Sequence, residues 1–313
     1  MLSELAAQGR NIFTVEDARA APGSEGTDVV KLLYRLAAKR WVRRLERGRY
    51  RLVPLEAGPE AQWAEHEFLV AATLVQPYYL AYATALHYYG YSERQPRPVW
   101  IATTRRKRPV TIEGITYRFV TLSEHKFFGY TTIQLLDTPV KIAEREKAIA
   151  DGFDHPEYCG GVIEPAKGLW FGSDELDLAR LVEYSQHLGN RAAMRRLGFW
   201  LERLGTGDQE LLRRLEPSTD RNYALLDPRG PANGPRDAHW RLIINVPERQ
   251  LLEVQAQRPT GTFGGELSLP NAPRRSSRLL VPGPDRAGAR RRPSGLGNGH
   301  GRSEPTVDRI SLR

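Results

Sequence analysis

The chain has 313 residues and a mass of 35.4 kDa, a length that suggests about two domains. Hydrophobic residues make up 40% and charged residues 27%, an ordinary globular mix, and no run approaches the ~18 apolar residues of a membrane-spanning helix. The single cysteine, Cys159, excludes an internal disulfide or a Cys-pair zinc site, and the opening MLSELAAQG has no leader pattern, so a cytoplasmic protein without metal or cofactor is expected.

In chain order, Leu2, Leu5 and Ala6 predict a short amphipathic helix ending near Gly9. Thr14-x-x-Asp17 has capping-box spacing and opens a second helix that stops at Ala21-Pro22-Gly23. Thr27 is the expected cap of a third, in which Val29, Leu32, Leu33 and Leu36 recur at helical spacing on an inward face. Lys31, Arg35 and Lys39 lie four apart on the other face. Residues 43–45 and 50–52 then alternate around a turn at Glu46–Arg49, where Gly48 supplies a permissive backbone.

Three helices followed by a basic hairpin outline a winged helix-turn-helix. Residues 28–51 hold nine Lys and Arg against Asp28 and Glu46, a net +7 in a chain whose total is +9. Charge that dense repels itself unless a polyanion compensates it, and a duplex does so by releasing counterions from each neutralised phosphate. The candidate DNA-binding residues are therefore Thr27, Lys31, Arg35, Lys39, Arg43, Arg44, Arg47 and Arg49. The plain alternative is a solvated helix and edge hairpin.

Pro54 to Gln62 looks like a linker between residues 1–53 and a larger α+β domain, 63–250. In that domain helices are expected over 63–76, 80–89 and 141–153, a buried strand over 99–103, and a hairpin over 110–122 turning at Glu113-Gly114. A helical set follows (174–188, 190–204 and 208–215), with a closing strand over 240–246. Arg105, Arg106, Lys107 and Arg108 form a possible secondary basic patch that could extend a DNA footprint, meet an acidic partner, or simply be solvated. Residues 256–313 carry eleven arginines and four acids amid frequent Gly and Pro, the composition of a low-complexity, disordered tail.

Several stretches together resemble the AbiEi-type antitoxins of type IV, abortive-infection toxin–antitoxin systems. They are KLLYRLAAKRWVRRLERGRYRL at 31–52, PYYLAYATALHYYGYSE at 77–93 and VWIATTRRKRPVTIEGITYRF at 99–119, then REKAIADGFDHPEYCGGV at 145–162 and LDPRGPANGPRDAHWRLIINVP at 226–247. The likeness covers about residues 1–250 and rests on the order of the segments; the tail departs from it. It implies a winged helix-turn-helix that represses its own operon on inverted repeats, joined to an antitoxin domain. The resemblance also implies that this domain opposes a nucleotidyltransferase-like toxin without a stable complex.

Catalytic motifs are scarce. His66-Glu67 lacks the second histidine of a zinc-binding HExxH, and no nucleophile elbow or phosphate-binding glycine loop occurs. Glu124-His125-Lys126 matches the E-x-K of restriction-type nucleases but lacks a second carboxylate on a strand just upstream to hold a metal. No catalytic residue is assigned. The competing readings are a stand-alone winged-helix regulator without a toxin partner and, behind it, such a nuclease.

Overall fold

A computed structural model of the chain describes residues 1–53, 66–92, 97–135, 138–216 and 222–256. The expected linker at 54–62 and the tail from 257 onward lie outside the described residues.

Residues 1–53 fold as α1 (Leu2–Ala7), β1 (Ile12–Thr14), α2 (Val15–Ala20), α3 (Val29–Ala38), β2 (Val42–Glu46) and β3 (Arg49–Leu52). The strands pair antiparallel in the order β1-β3-β2. β1 was not expected, being only three residues long; its Phe13 lies opposite Tyr50 in the ladder and is fully buried. Leu5, Phe13, Ala18, Val29, Leu33, Val42, Tyr50 and Leu52 close a small local core.

Local signals explain where these helices start. The Thr14 hydroxyl accepts from the Asp17 N–H at 3.1 Å and the Asp17 carboxylate accepts from the Thr14 N–H at 2.8 Å, a complete capping box. The cap of α3 is Asp28 rather than Thr27: its carboxylate accepts from the Lys31 N–H at 3.2 Å, leaving Thr27 exposed one residue ahead of the cap. Gly48 makes the β2–β3 turn with φ +77°, a conformation that a side chain resists.

The larger part centres on a six-stranded mixed sheet in the order β6-β7-β5-β4-β9-β8. Its strands are β4 (Tyr79–Leu80), β5 (Val99–Thr103), β6 (Val110–Ile112), β7 (Ile115–Thr121), β8 (Tyr130–Leu135) and β9 (Thr138–Ala143). Its helices are α4 (Glu67–Leu74), α5 (Tyr82–Tyr88), α6 (Arg145–Asp154), α7 (Ile163–Phe171), α8 (Leu178–Leu188), α9 (Arg191–Leu204), α10 (Gln209–Leu215) and α11 (Glu248–Ala256). A small sheet of β10 (Ala224–Leu225), β12 (Leu242–Ile243) and β11 (Arg236–Asp237) lies in that order.

Two expected helices begin later than their apolar runs suggest, because sheet pairing takes the first residues. Leu80 pairs with Ile101 and Ile142, so α5 starts at Tyr82. Lys141 to Ala143 belong to β9, so α6 starts at Arg145. α8 likewise starts after its cap Asp177, not at Asp174. The caps Asn190 and Asp208 stand where expected. α7 and α11 were not anticipated; Leu251 and Val254 of α11 are buried in the main core beyond the expected boundary at 250.

The expected strand at 240–246 shrinks to Leu242–Ile243 because Trp240 has another task. Its indole is fully buried across α9 at Gly198, where any Cβ would collide with the ring, and its Nε1–H donates to Glu202 at 2.6 Å. A glycine inside a helix costs stability, and here it permits the close approach that seats the largest side chain of the C-terminal segment.

α6 sits at the centre, packed by α5, α7, α8 and α9, and from Glu146 to Asp154 every residue is buried although half of its sequence is polar. Lys147 pairs with Asp151 one turn on and donates to the Tyr79 hydroxyl at 3.1 Å. Asp154 accepts from Lys126 at 2.8 Å and from the Asn190 amide at 2.6 Å, while Glu146 accepts from the Asp177 N–H at 3.0 Å. Burial pushes the Asp151 carboxyl up in pKa, and the Lys147 ammonium pulls it back.

Candidate nucleic-acid interface

α3 divides sharply by face. Val29 and Leu33 are buried, whereas Val30 and Tyr34 are 49% and 79% exposed on the far side. At 3.6 residues per turn, Thr27, Val30, Lys31, Tyr34, Arg35, Ala38 and Lys39 form one solvent-facing stripe, and all seven are exposed. Lys31 reaches back to Asp28 at 3.4 Å, an exposed pair that holds it only weakly. Sequence periodicity picked out the cations of this stripe and missed Val30 and Tyr34. The signal was present: they form a second i, i+4 pair, out of phase with Val29 and Leu33.

The β2–β3 hairpin divides its charge in the same way. Arg44 and Arg47 are exposed. Arg43 pairs with Glu113 at 3.1 Å and stays half-exposed. Arg49 is withdrawn, 21% exposed and bonded to Glu46 at 3.2 Å. Arg51 is 1% exposed and meets the same Glu113 at 2.9 Å. Part of the expected self-repulsion is thus cancelled inside the protein, by Glu46 and by a carboxylate 62 residues further along the chain.

These contacts fix the hairpin to the larger part. A register shift between Arg44 and Glu46 marks a β-bulge at Leu45, which is buried in the main core rather than in the local one. Glu113, in the β6–β7 turn, takes φ +52° there. On the other flank, the Lys107 ammonium donates to both Glu46 oxygens at 3.1 Å and to the Leu74 carbonyl at 2.8 Å. Of the secondary basic patch, Lys107 is therefore an internal tether, whereas Arg105, Arg106 and Arg108 are exposed.

The chemically reactive side chains are placed differently. Glu124-His125-Lys126 forms a 3-10 turn rather than a strand, and Lys126 is engaged by Asp154. The Lys147, Asp151 and Tyr79 cluster is buried and satisfied by its own members. His155 bonds Glu157 at 2.9 Å, and burial pushes the Cys159 thiol far above the range of a reactive thiolate. Among the described residues, no group of three or more His, Cys, Asp or Glu is arranged to hold a metal, and no helix is long and apolar enough to cross a membrane.

Residues 1–53 match a family of transcriptional regulators. That family is described as "Transcriptional regulator, AbiEi antitoxin", and the similarity to it spans these 53 residues. The chain also shares its fold with the RV2827C protein from Mycobacterium tuberculosis, known from its crystal structure. The two are 17% identical with a TM-score of 0.54, over 82% of this chain and 93% of that one. No curated protein matches the chain.

Proposed function

We propose that the chain is a DNA-binding repressor of its own operon and the antitoxin of a type IV toxin–antitoxin pair, acting in the cytoplasm without a cofactor or catalytic step. Residues 1–53 act as a winged helix-turn-helix, with α3 entering the major groove and the β2–β3 hairpin as the wing. The observation that carries this reading is the exposed α3 stripe, in which Lys31 and Arg35 flank Val30 and Tyr34. Solvated helical faces rarely spend two large apolar side chains on water. Cations beside apolar groups suit a duplex, whose phosphates take the charge and whose thymine methyls take the apolar contact.

Thr27, Lys31, Arg35, Lys39, Arg43, Arg44 and Arg47 form the contact set, with Arg49 behind them sharing its charge with Glu46. Two copies occupy one inverted repeat, since a two-fold operator mirrors a pair of identical readers. The test is fluorescence anisotropy with the promoter upstream of the gene. Arg35→Ala should lower affinity and reduce the salt slope by about 1 with folding intact. Absence of binding by the unaltered protein at low salt would refute the regulator reading.

The antitoxin half rests on the family match. The larger part counteracts a nucleotidyltransferase-like toxin encoded next to it, without a stable complex. Co-expression of that neighbour with this chain should restore growth; failure to do so leaves a stand-alone winged-helix regulator. A magnesium-dependent nuclease finds little support in an E-x-K carried on a 3-10 turn with its lysine bound to Asp154.

A further inference from the structure

Resting on the DNA-binding reading, we propose that the loop after β5 in the larger part meets the same duplex as the wing, through Arg105, Arg106 and Arg108. The wing tip is Arg47, one peptide step from Glu46, and Glu46 is bonded through both carboxylate oxygens to Lys107. Arg106 and Arg108 each stand one step from Lys107, with about 3.8 Å between successive Cα atoms. The Glu46–Lys107 bond therefore brings the exposed guanidinium-bearing residues of two separate segments to either side of one ion pair.

The loop is held rather than loose. The Arg105 N–H donates to the Thr103 hydroxyl at 3.2 Å, that hydroxyl donates to the Pro77 carbonyl at 2.7 Å, and Lys107 is fixed to the Leu74 carbonyl. Three like charges in four residues, none with an ion-pair partner among the described residues, repel one another unless an external anion meets them. Their neighbour Lys107 uses its own charge internally to set their position. Preorganisation of this kind lowers the ordering cost of binding, and a phosphate backbone running past Arg47 is the nearest polyanion available to the loop.

The experiment compares the full-length chain with two multiple variants on the promoter duplex, recording affinity against salt concentration. Arg105→Ala/Arg106→Ala/Arg108→Ala should lower the slope of log K against log salt by about 2 to 3, at 0.9 per phosphate contact. Operator preference over an unrelated duplex should stay unchanged, because phosphate contacts carry no base information. The matching triple Lys variant should keep the full slope. Lys31→Ala/Arg35→Ala reports separately on α3. If that pair loses slope while the triple Ala variant keeps the wild-type value, the loop proposal fails and the DNA reading stands. If the unaltered protein shows no binding, both fail. A triple variant that loses only its rescue of the toxin-expressing strain also overturns the proposal, because the loop then faces a protein.

Discussion

α3 and α6 are both ten residues long and both carry charged side chains, yet the protein uses the two sets in opposite ways. On α3, Lys31 and Arg35, with Lys39 at the C-cap, face water beside exposed Val30 and Tyr34. On α6, Glu146, Lys147, Asp151 and Asp154 are buried and each finds an internal partner. Charge content alone distinguishes neither helix; the location of the compensating charge does. Where a fold supplies the counter-charge itself, the cluster holds elements together. Where it withholds it, the cluster is available to something outside.

That contrast can be broken by mutation, and the largest effect is expected inside. Lys147→Met leaves Asp151 buried without its cation and should cost about 3 to 5 kcal/mol of unfolding free energy, read by denaturant titration. Arg35→Ala on α3 should stay within about 0.5 kcal/mol of wild type. The Lys147→Met deficit carries a pH signature. Without the ammonium, the Asp151 pKa rises further above its unfolded value, so the variant keeps its stability in acid and loses it as pH climbs through the raised pKa. A deficit that shrinks between pH 5 and pH 8 would contradict the assignment.

Next in size is Gly198→Ala. Helix propensity alone would make it stabilising by about 1 kcal/mol, but the collision with Trp240 should reverse the sign and cost about 1 to 3 kcal/mol, seen as a lower melting midpoint. On the outward side, Tyr34→Ala should reduce operator discrimination by about 1 to 3 kcal/mol while leaving the salt slope intact, as expected of a base contact rather than a phosphate contact. The smallest effect is Thr14→Ala, about 1 kcal/mol from loss of the capping box, with DNA contacts unchanged once folded.

Short-range patterns made the N-terminal region legible. The Thr14–Asp17 box, the Val29–Leu33 spacing and the Gly48 turn all act within a few residues. What stayed hidden depended on distance along the chain. Nothing near Arg51 announces Glu113, and nothing near Glu46 announces Lys107, so a run of nine cations read as more exposed than it is. β4 escaped for a related reason, since its Leu80 is held in the sheet by Ile101 and Ile142, both distant in the chain. The α6 network was illegible because an isolated REKAIADGFD reads as a surface helix; only the surrounding helices and Tyr79 make its polar groups interior ones. Val30 and Tyr34 are readable in the sequence, from an i, i+4 spacing out of phase with Val29 and Leu33.

The bulged Leu45 and the two glutamates bear on how this architecture can be rearranged. A chimera that grafts residues 1–53 onto another body would strand Leu45 in water and leave Arg43 and Arg51 without the acid from the β6–β7 turn. Under the proposed DNA-binding role, operator specificity is best exchanged between relatives by resurfacing α3 within its own chain, whereas transplantation of the whole N-terminal piece requires that positions 107 and 113 travel with it.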